Sequence, residues 1–430
     1  MTTVTRAANS GKGRVGELAG LAGLAGLVGT AGHAGMAGLV RTRRVIVTCG
    51  AGGVGKTTMA AALGVAAALS GRRVAVVTID PARRLADALG LAALGNQPQR
   101  VDLSAVKSAM SATAEGQRAN WWAPIAGPTE GAAGQNGQTG GGGELWAMML
   151  DARATFDDLV RLHAPSVERA ERILVNPLYR NISGALSGTQ EYMAVEKLHE
   201  LVTNPRDASG ASIAPFDCVI VDTPPTRNAL DVLAAPERLT RFLDNRVFRA
   251  MMAPARSGFR VVGVATQAAL AGLGKVVGSE VIGDAVAFFR AFDGMEEGFR
   301  QRAQASLALL RDEATAWVLV TTPRIEPVEE AIFFAGELVR MGLRVDALVA
   351  NRVQLPIEPL PAIPVSVGPL RTAVLRAHEI HARAGAHRAV LAPLRHVVGP
   401  HAVVAEVPLS AADIHDLDAL TKVAASLCGA

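Results

Sequence analysis

A glycine-rich loop between a predicted strand and a predicted helix constrains the fold of this chain more than any other feature. Residues 50–58 read Gly-Ala-Gly-Gly-Val-Gly-Lys-Thr-Thr and fit the pattern G-x-x-x-x-G-K-[ST] without deviation. The β-branched run 44–49 precedes the loop and the alanine-rich stretch 57–69 follows it, which is the strand–loop–helix context that this motif requires. Inward-facing N–H groups of such a loop bind phosphate oxygens at the positive end of the helix dipole. The alternative is a glycine-rich turn that binds no ligand, but such a turn would not need both a preceding strand and a following helix.

The polar residues of this loop each have a distinct task in binding ATP and Mg²⁺. Lys56 is the candidate catalytic cation that reaches the β- and γ-phosphates, Thr57 places its hydroxyl on the metal, and Thr58 bonds a phosphate oxygen. Four further residues are candidates for nucleotide binding through their backbone N–H groups, namely Gly52, Gly53, Val54 and Gly55.

Two carboxylates follow other predicted strands. Asp222 follows the run 216–221 and is the candidate second Mg²⁺ ligand, although a lone aspartate at such a place more often caps a helix. Asp80 follows the run 73–79, where a carboxylate can orient an attacking water. It also precedes Pro81, at which a helix can start, so a capping role is compatible with a catalytic one. We therefore expect Mg²⁺-dependent ATP hydrolysis with Asp80 as the catalytic carboxylate.

Continuous apolar strands that alternate with helices indicate an α/β fold, a P-loop NTPase with a mostly parallel, doubly wound sheet covered on both faces. The predicted strands are 44–49, 73–79, 216–221, 317–321, 345–349 and 402–407. Apart from 216–221, residues 100–310 are predicted to be mainly helical and to form a helical insert subdomain. The predicted division is an ATPase core of 41–100, 211–245 and 311–430, and a helical subdomain of 101–210 and 246–310 with a glycine-rich insertion near 127–143.

The first 40 residues are of low complexity, with glycine at every third position from Gly20 to Gly38. The tract lacks proline, which argues against collagen. A membrane span over 18–40 or a secretory signal is an alternative, but each glycine costs a helix up to about 1 kcal/mol. We expect 1–40 to be a disordered tail. Residues 1–35 could also be absent from the native protein, with Met36 as its start.

The overall composition narrows the function classes. Half of the 430 residues are hydrophobic and 19% are charged, which predicts a large core. The net charge of +4 is spread without long basic blocks, so no nucleic-acid partner is expected. Three isolated cysteines and no C-x-x-C pair argue against a disulfide framework and against a structural zinc site. We expect a cytoplasmic protein, with association at a membrane periphery left open.

Together these segments resemble the ArsA family of deviant P-loop ATPases, which includes arsenite-pump ATPases and the ATPases that target tail-anchored membrane proteins. Actinobacterial members look especially similar, notably in 187–192. The matching stretches cover most of the chain and are 50–58, 80–82 with Leu85, 222–226, 350–353 and 407–409. The resemblance implies that Asp80 is the switch I carboxylate, that Asp222 is the switch II Mg²⁺ residue, and that the protein works as a dimer. It also implies that Asn351 hydrogen-bonds adenine and that Pro408 flanks the base. Without the resemblance, Asn351 would be an ordinary loop asparagine.

This chain departs from the family pattern in three ways. Where the family carries a second lysine that reaches the partner's nucleotide, this chain has Ala51. Either Arg83 or Arg84 substitutes, or a paralogous subunit supplies the charge, or turnover is slow. The zinc-binding cysteine pair of the targeting ATPases is absent. Nothing in the sequence brings the three cysteines together, so no arsenite site is expected.

A helical stripe in the predicted subdomain leaves two interpretations. It consists of Ile282, Val286, Phe289, Phe292, Met295 and Phe299. Apolar residues at this spacing are usually core, and the alternative is a groove for a hydrophobic protein or membrane-protein client.

The leading hypothesis is an ATP-hydrolysing molecular switch that couples nucleotide state to a partner or to cargo. A nucleotide-dependent scaffold subunit with little turnover, paired with a paralogue, is the alternative that Ala51 keeps open. A cell-positioning ATPase ranks last, because the final helix, 413–428, carries one lysine and three aspartates.

Overall fold

The computed structural model describes residues 35–79, 84–112, 143–177, 179–180, 189–207, 211–244, 294–357, 369–410 and 412–429. Within them, eight strands form one sheet in the order β3-β4-β2-β5-β1-β6-β7-β8. The strands are β1 (Val45–Cys49), β2 (Arg73–Thr78), β3 (Gln99–Val101), β4 (Glu144–Met149), β5 (Cys218–Asp222), β6 (Thr315–Thr321), β7 (Ala347–Val353) and β8 (Val403–Pro408). Only the β3–β4 pair is antiparallel. The predicted α/β fold with a mostly parallel sheet is confirmed.

The described helices are α1 (Gly35–Thr42), α2 (Lys56–Leu69), α3 (Arg84–Ala88), α4 (Ser104–Ala112), α5 (Ala152–His163), α6 (Val167–Val175), α7 (Thr189–Thr203), α8 (Thr226–Asp244), α9 (Glu296–Arg311), α10 (Ile325–Arg340), α11 (Pro369–Val398) and α12 (Leu417–Cys428). No helix in the described ranges combines the length and the hydropathy needed to cross a bilayer.

Alternation along the strands divides the core into two layers. One set of strand side chains packs with α1, α2 and α12 on one face of the sheet. The alternate set packs with α7, α8, α10 and α11 on the other face. A third apolar cluster joins α5, α6, α7 and α9 beside this second layer. Both faces of the sheet are therefore covered, which explains why its strands read as unbroken apolar runs.

The prediction that residues 100–310 are mainly helical outside 216–221 missed two strands. β4 pairs with β2 along its whole length, and β3 continues the sheet at the edge. The β4 segment reads Glu-Leu-Trp-Ala-Met-Met, and Leu, Ala and Met are good helix formers. Its strand conformation is therefore set by pairing with β2, a non-local contact that local propensity does not report.

The predicted disordered tail, 1–40, is wrong at its end. Residues 35–40 lie in α1, where Met36, Leu39 and Val40 are buried against the core. Their i, i+3, i+4 spacing is the helical signal that the glycine repeat obscured. Residues 1–34 lie outside the described part of the chain, as does most of the glycine-rich insertion near 127–143.

Candidate functional site

The phosphate loop lies at the carboxyl end of the central strand β1 and runs into α2, which begins at Lys56. Two of its glycines are required by close approaches. Gly50 has φ +153°, and a Cβ there would lie 2.1 Å from the carbonyl oxygen of Val320. Gly55 has φ +97°, and a Cβ would lie 2.4 Å from Nδ2 of Asn351. The glycines therefore let the loop pass close to β6 and β7 in a backbone conformation that other residues avoid.

Asp222 is the centre of the site. It ends β5, is fully buried, and its Oδ2 accepts hydrogen bonds from the hydroxyls of Thr57 at 2.7 Å and Thr78 at 3.0 Å. In the parallel register, Asp222 pairs with Thr48 of β1 and Thr78 of β2. The loop threonine and the strand aspartate that the sequence singled out are thus brought into direct contact.

The strand ends around Asp222 are cross-linked through their main chains. The hydroxyl of Thr223 donates to the carbonyl of Thr48 at 2.8 Å, and that of Thr48 donates to the carbonyl of Val221 at 3.1 Å. The N–H of Ile79 donates to the carbonyl of Asp222 at 3.1 Å. These bonds hold the carboxyl ends of β1, β2 and β5 in one arrangement.

Lys56 is largely buried and its Nζ donates to the carbonyl of Ala51 at 3.0 Å. The lysine side chain thus lies along the phosphate loop. Ala51, which stands at the position of the family's second lysine, is also buried. A lysine at this position would need to leave the core to reach a partner molecule.

Asn351 has a contact that the sequence did not reveal. Its Nδ2 donates to the carbonyl of Val54 in the phosphate loop at 2.8 Å, while its Oδ1 accepts from the N–H of Arg352 at 2.9 Å. Asn351 therefore ties β7 to the loop. Pro408 ends β8 and pairs with Val353, which places both predicted adenine-site residues at neighbouring strand ends. Their contact with a base remains a prediction.

Asp80 lies outside the described residues, which resume at Arg84. The structure does describe Ile79, immediately before it. The carbonyl of Ile79 accepts a hydrogen bond from Nε2 of Gln190, at the start of α7, at 3.3 Å. Sequence reasoning named neither Gln190 nor Thr78 as a site residue. For Thr78, a hydroxyl at the carboxyl end of a predicted strand was the available signal.

The cysteines do not converge. Cys49 packs in the layer of α7 and α10, whereas Cys218 and Cys428 belong to the layer of α2 and α12 on the other face of the sheet. Burial raises the pKa of the Cys49 thiol to about 12, against a smaller lowering by its hydrogen bond with Thr223. Burial likewise raises the pKa of Cys218 to about 11. Both thiols are therefore protonated near neutral pH and are poor nucleophiles or metal ligands.

The donors at the centre of the site suit Mg²⁺. A threonine hydroxyl and a carboxylate oxygen in contact are hard oxygen ligands, and Mg²⁺ in nucleotide sites is held by one or two such groups plus phosphate oxygens. Over the described ranges, no group of three His, Cys, Asp or Glu side chains forms a candidate metal site.

Comparison with known proteins places this geometry in context. The sequence model of the anion-transporting ATPase family, ArsA_ATPase, matches residues 43–123 and 144–429. The matched stretches contain the phosphate loop, Asp222, Asn351 and Pro408.

Three curated relatives are distant. ATPase ARSA1 of Chlamydomonas reinhardtii is 26% identical over 205 residues, covering 45% of this chain and 22% of that protein. Uncharacterized protein SCO2128 of Streptomyces coelicolor is 29% identical over 327 residues, covering 76% of this chain and 66% of that protein. Protein Rv2184c of Mycobacterium tuberculosis is 27% identical over 317 residues, covering 72% of this chain and 59% of that protein. The alignments thus span no more than 66% of the length of any of these relatives.

Proposed function

The chain belongs to the anion-transporting ATPase family, and on that premise we propose that it is an ATP-binding, Mg²⁺-dependent ATPase that works as a molecular switch. The observation that carries the proposal is the contact between the Thr57 hydroxyl and the Asp222 carboxylate, at 2.7 Å, beside a complete phosphate loop. A loop that only closed a turn would not need a buried carboxylate at this place.

Each residue of the site has a proposed task. The N–H groups of Gly52 to Gly55 and the start of α2 bind the phosphates, and Lys56 turns from the Ala51 carbonyl toward the β- and γ-phosphates. Thr57 and Asp222 would hold Mg²⁺, which would neutralise charge on the phosphate oxygens. Asp80 orients the attacking water, and its carboxylate accepts the hydrogen bond that aims the water at the γ-phosphate.

The switch follows from the position of Asp222 in the chain. Thr223, Pro224 and Pro225 connect β5 directly to α8, so a change at the carboxylate is one short, stiff loop from the helices. We propose that nucleotide state alters this loop and the segment after β2, and that the helical layer passes the change to a partner or a hydrophobic client.

Burial reduces the set of residues that could line a client groove. Met295 and Phe299, the two stripe residues in the described part of the chain, are both 1% exposed and pack in the cluster of α5, α6, α7 and α9. They are core residues. The remaining groove candidates, 282–292, lie outside the described residues, and a client site there stays a proposal.

We propose a dimer, either of two copies or with a paralogous ATPase. The substitution at Ala51 supports a second candidate function, a nucleotide-dependent scaffold subunit with little turnover of its own. The proposed core comprises 41–100, 211–245 and 311–430, to which β4 adds its residues from within the proposed helical subdomain of 101–210 and 246–310.

Mg-ATP hydrolysis by the purified chain across a range of protein concentrations tests the proposal, with Lys56→Ala and Asp80→Asn as the inactivated variants. Specific activity that rises with concentration and is lost in both variants supports a dimerising ATPase. ATP binding without turnover, followed by a large gain in Ala51→Lys, supports the scaffold subunit. Failure to bind ATP refutes both.

A further inference from the structure

We propose that Thr78 is a positioning residue that orients the Asp222 carboxylate for the metal. This inference rests on the proposed function, because it assigns a role within the same site. Thr78 lies at the end of β2, outside the phosphate loop and two residues before Asp80.

Two hydroxyls from different parts of the chain donate to the same carboxylate oxygen. Thr57 reaches Oδ2 of Asp222 at 2.7 Å from the first turn of α2, and Thr78 reaches it at 3.0 Å from the neighbouring strand. All three side chains lie at the carboxyl edge of the sheet, and Thr78 is 1% exposed. Both donors act on one oxygen, so they restrict the rotation of the carboxylate group about its Cβ–Cγ bond.

The two donors differ in how they are supported. Thr57 belongs to the loop and helix that bind phosphate, and its hydroxyl is itself a proposed metal ligand. Thr78 is a β-branched residue in a paired strand, so its χ1 rotation is restricted. Thr78 is therefore suited to hold the carboxylate in the same orientation whether or not the nucleotide site is filled.

The main chain reinforces the same contact. Ile79, the next residue, donates its N–H to the carbonyl of Asp222 at 3.1 Å. The last residue of β2 and the residue that follows it thus bind the side chain and the backbone of Asp222, respectively. This double attachment holds the end of β2 against the end of β5, next to a proposed metal ligand.

The attachment extends to the helical layer through Gln190. Its Nε2 donates to the carbonyl of Ile79 at 3.3 Å, from the first turn of α7. Further along α7, Glu196 is buried and ion-paired with Arg302 of α9. A continuous series of contacts therefore joins the Asp222 carboxylate to the helices that we propose to change with nucleotide state.

Metal affinity measured without turnover tests this role. Thr78→Val keeps the shape of the side chain and removes the donor, whereas Thr78→Ser keeps the donor. Titration of Mn²⁺ into protein saturated with a non-hydrolysable ATP analogue, with free Mn²⁺ followed by electron paramagnetic resonance, gives the dissociation constant of the metal. We expect Thr78→Val to weaken Mn²⁺ about 10- to 100-fold, the range for residues that support metal ligands. Thr78→Ser is expected to stay within about threefold of the wild type, because it retains the supporting donor.

The matched control is Thr315→Val. Thr315 is also buried and its hydroxyl donates to the carbonyl of Leu309 at 2.6 Å, but it lies at the amino end of β6, away from the site. Equal loss of metal affinity in Thr78→Val and Thr315→Val would overturn the proposal, since it would indicate general destabilisation. Unchanged Mn²⁺ affinity in Thr78→Val would also overturn the proposal, if the wild type binds both nucleotide and metal. If the wild type binds neither, the proposed function itself fails. Thr78→Ala replaces the valine variant, with the same expectation, if the latter does not fold.

Discussion

Substitution of Asn351 tests whether this residue holds the phosphate loop in place or recognises the adenine base. Asn351 is 5% exposed, and its Nδ2 donates to the carbonyl of Val54 at 2.8 Å. In Asn351→Ala this buried carbonyl loses that donor, which costs about 1–3 kcal/mol of folding stability. If the bound state also needs the restrained loop, nucleotide affinity falls by up to the same free energy, roughly 5- to 150-fold.

The assay compares ATP with GTP and measures the free energy of unfolding by urea denaturation without nucleotide. A loop-holding role predicts lower stability of the free protein and equal losses of affinity for ATP and GTP. A role confined to adenine predicts unchanged stability and a loss for ATP alone. We expect the first result, because the hydrogen bond exists without any base.

Asn176→Ala is the matched control. Asn176 is also buried, and its Oδ1 accepts from the N–H of Tyr179 at 3.3 Å, among the helices rather than in the site. It should lower stability while leaving nucleotide affinity unchanged. An unfolding free energy for Asn351→Ala equal to that of the wild type would refute the reasoning.

Three further predictions concern the core and the helical layer. Met36→Ala should lower stability by about 2–5 kcal/mol, because Met36 is buried although it lies in a low-complexity tract. Glu196→Gln should cost about 1.5–3 kcal/mol, because it replaces the charge-assisted hydrogen bond between Arg302 and a buried carboxylate with a neutral acceptor. Burial, aided by Arg302 and Arg44, lowers the pKa of His199 to about 4. The unfolded chain, with a histidine pKa near 6.5, then binds the extra proton first, so stability falls as pH drops from about 6.5 to about 4. His199→Gln should flatten this part of the stability–pH curve.

Each of these predictions has a contrary outcome in urea denaturation. If Met36→Ala lowers the free energy of unfolding by less than about 1 kcal/mol, this result would contradict the packing of α1 against the core. Asp418→Asn, which breaks an exposed pair with Lys422, is the reference for Glu196→Gln and should cost under about 1 kcal/mol. Equal costs in the two variants would contradict the buried-pair argument. An unchanged slope between pH 6.5 and pH 4 in His199→Gln would contradict the proton linkage.

Local patterns were sufficient to predict the phosphate loop and six of the eight described strands. The loop depends on glycine backbone freedom next to a lysine and two threonines, all within nine consecutive residues. The six strands are short β-branched or apolar runs bounded by polar residues. Such signals are carried by neighbours in sequence, and a single chain displays them directly.

Patterns of this kind failed where the environment outweighed propensity. β4 is built from residues that favour helices and becomes a strand because β2 offers a parallel edge. α1 lies in a glycine-rich tract and becomes a packed helix because three apolar residues meet the core. In both segments the decisive partner is distant in sequence.

The site itself shows the same division. The sequence by itself determined the candidate residues for the proposed chemistry, since Lys56, Thr57 and Asp222 were each identified from a short local pattern. The tertiary structure decided what supports them: Thr78 meets Asp222 across 144 residues of sequence, and Asn351 meets the loop across 297. Those contacts depend on strand order and register, and register is set by the packing of the whole sheet.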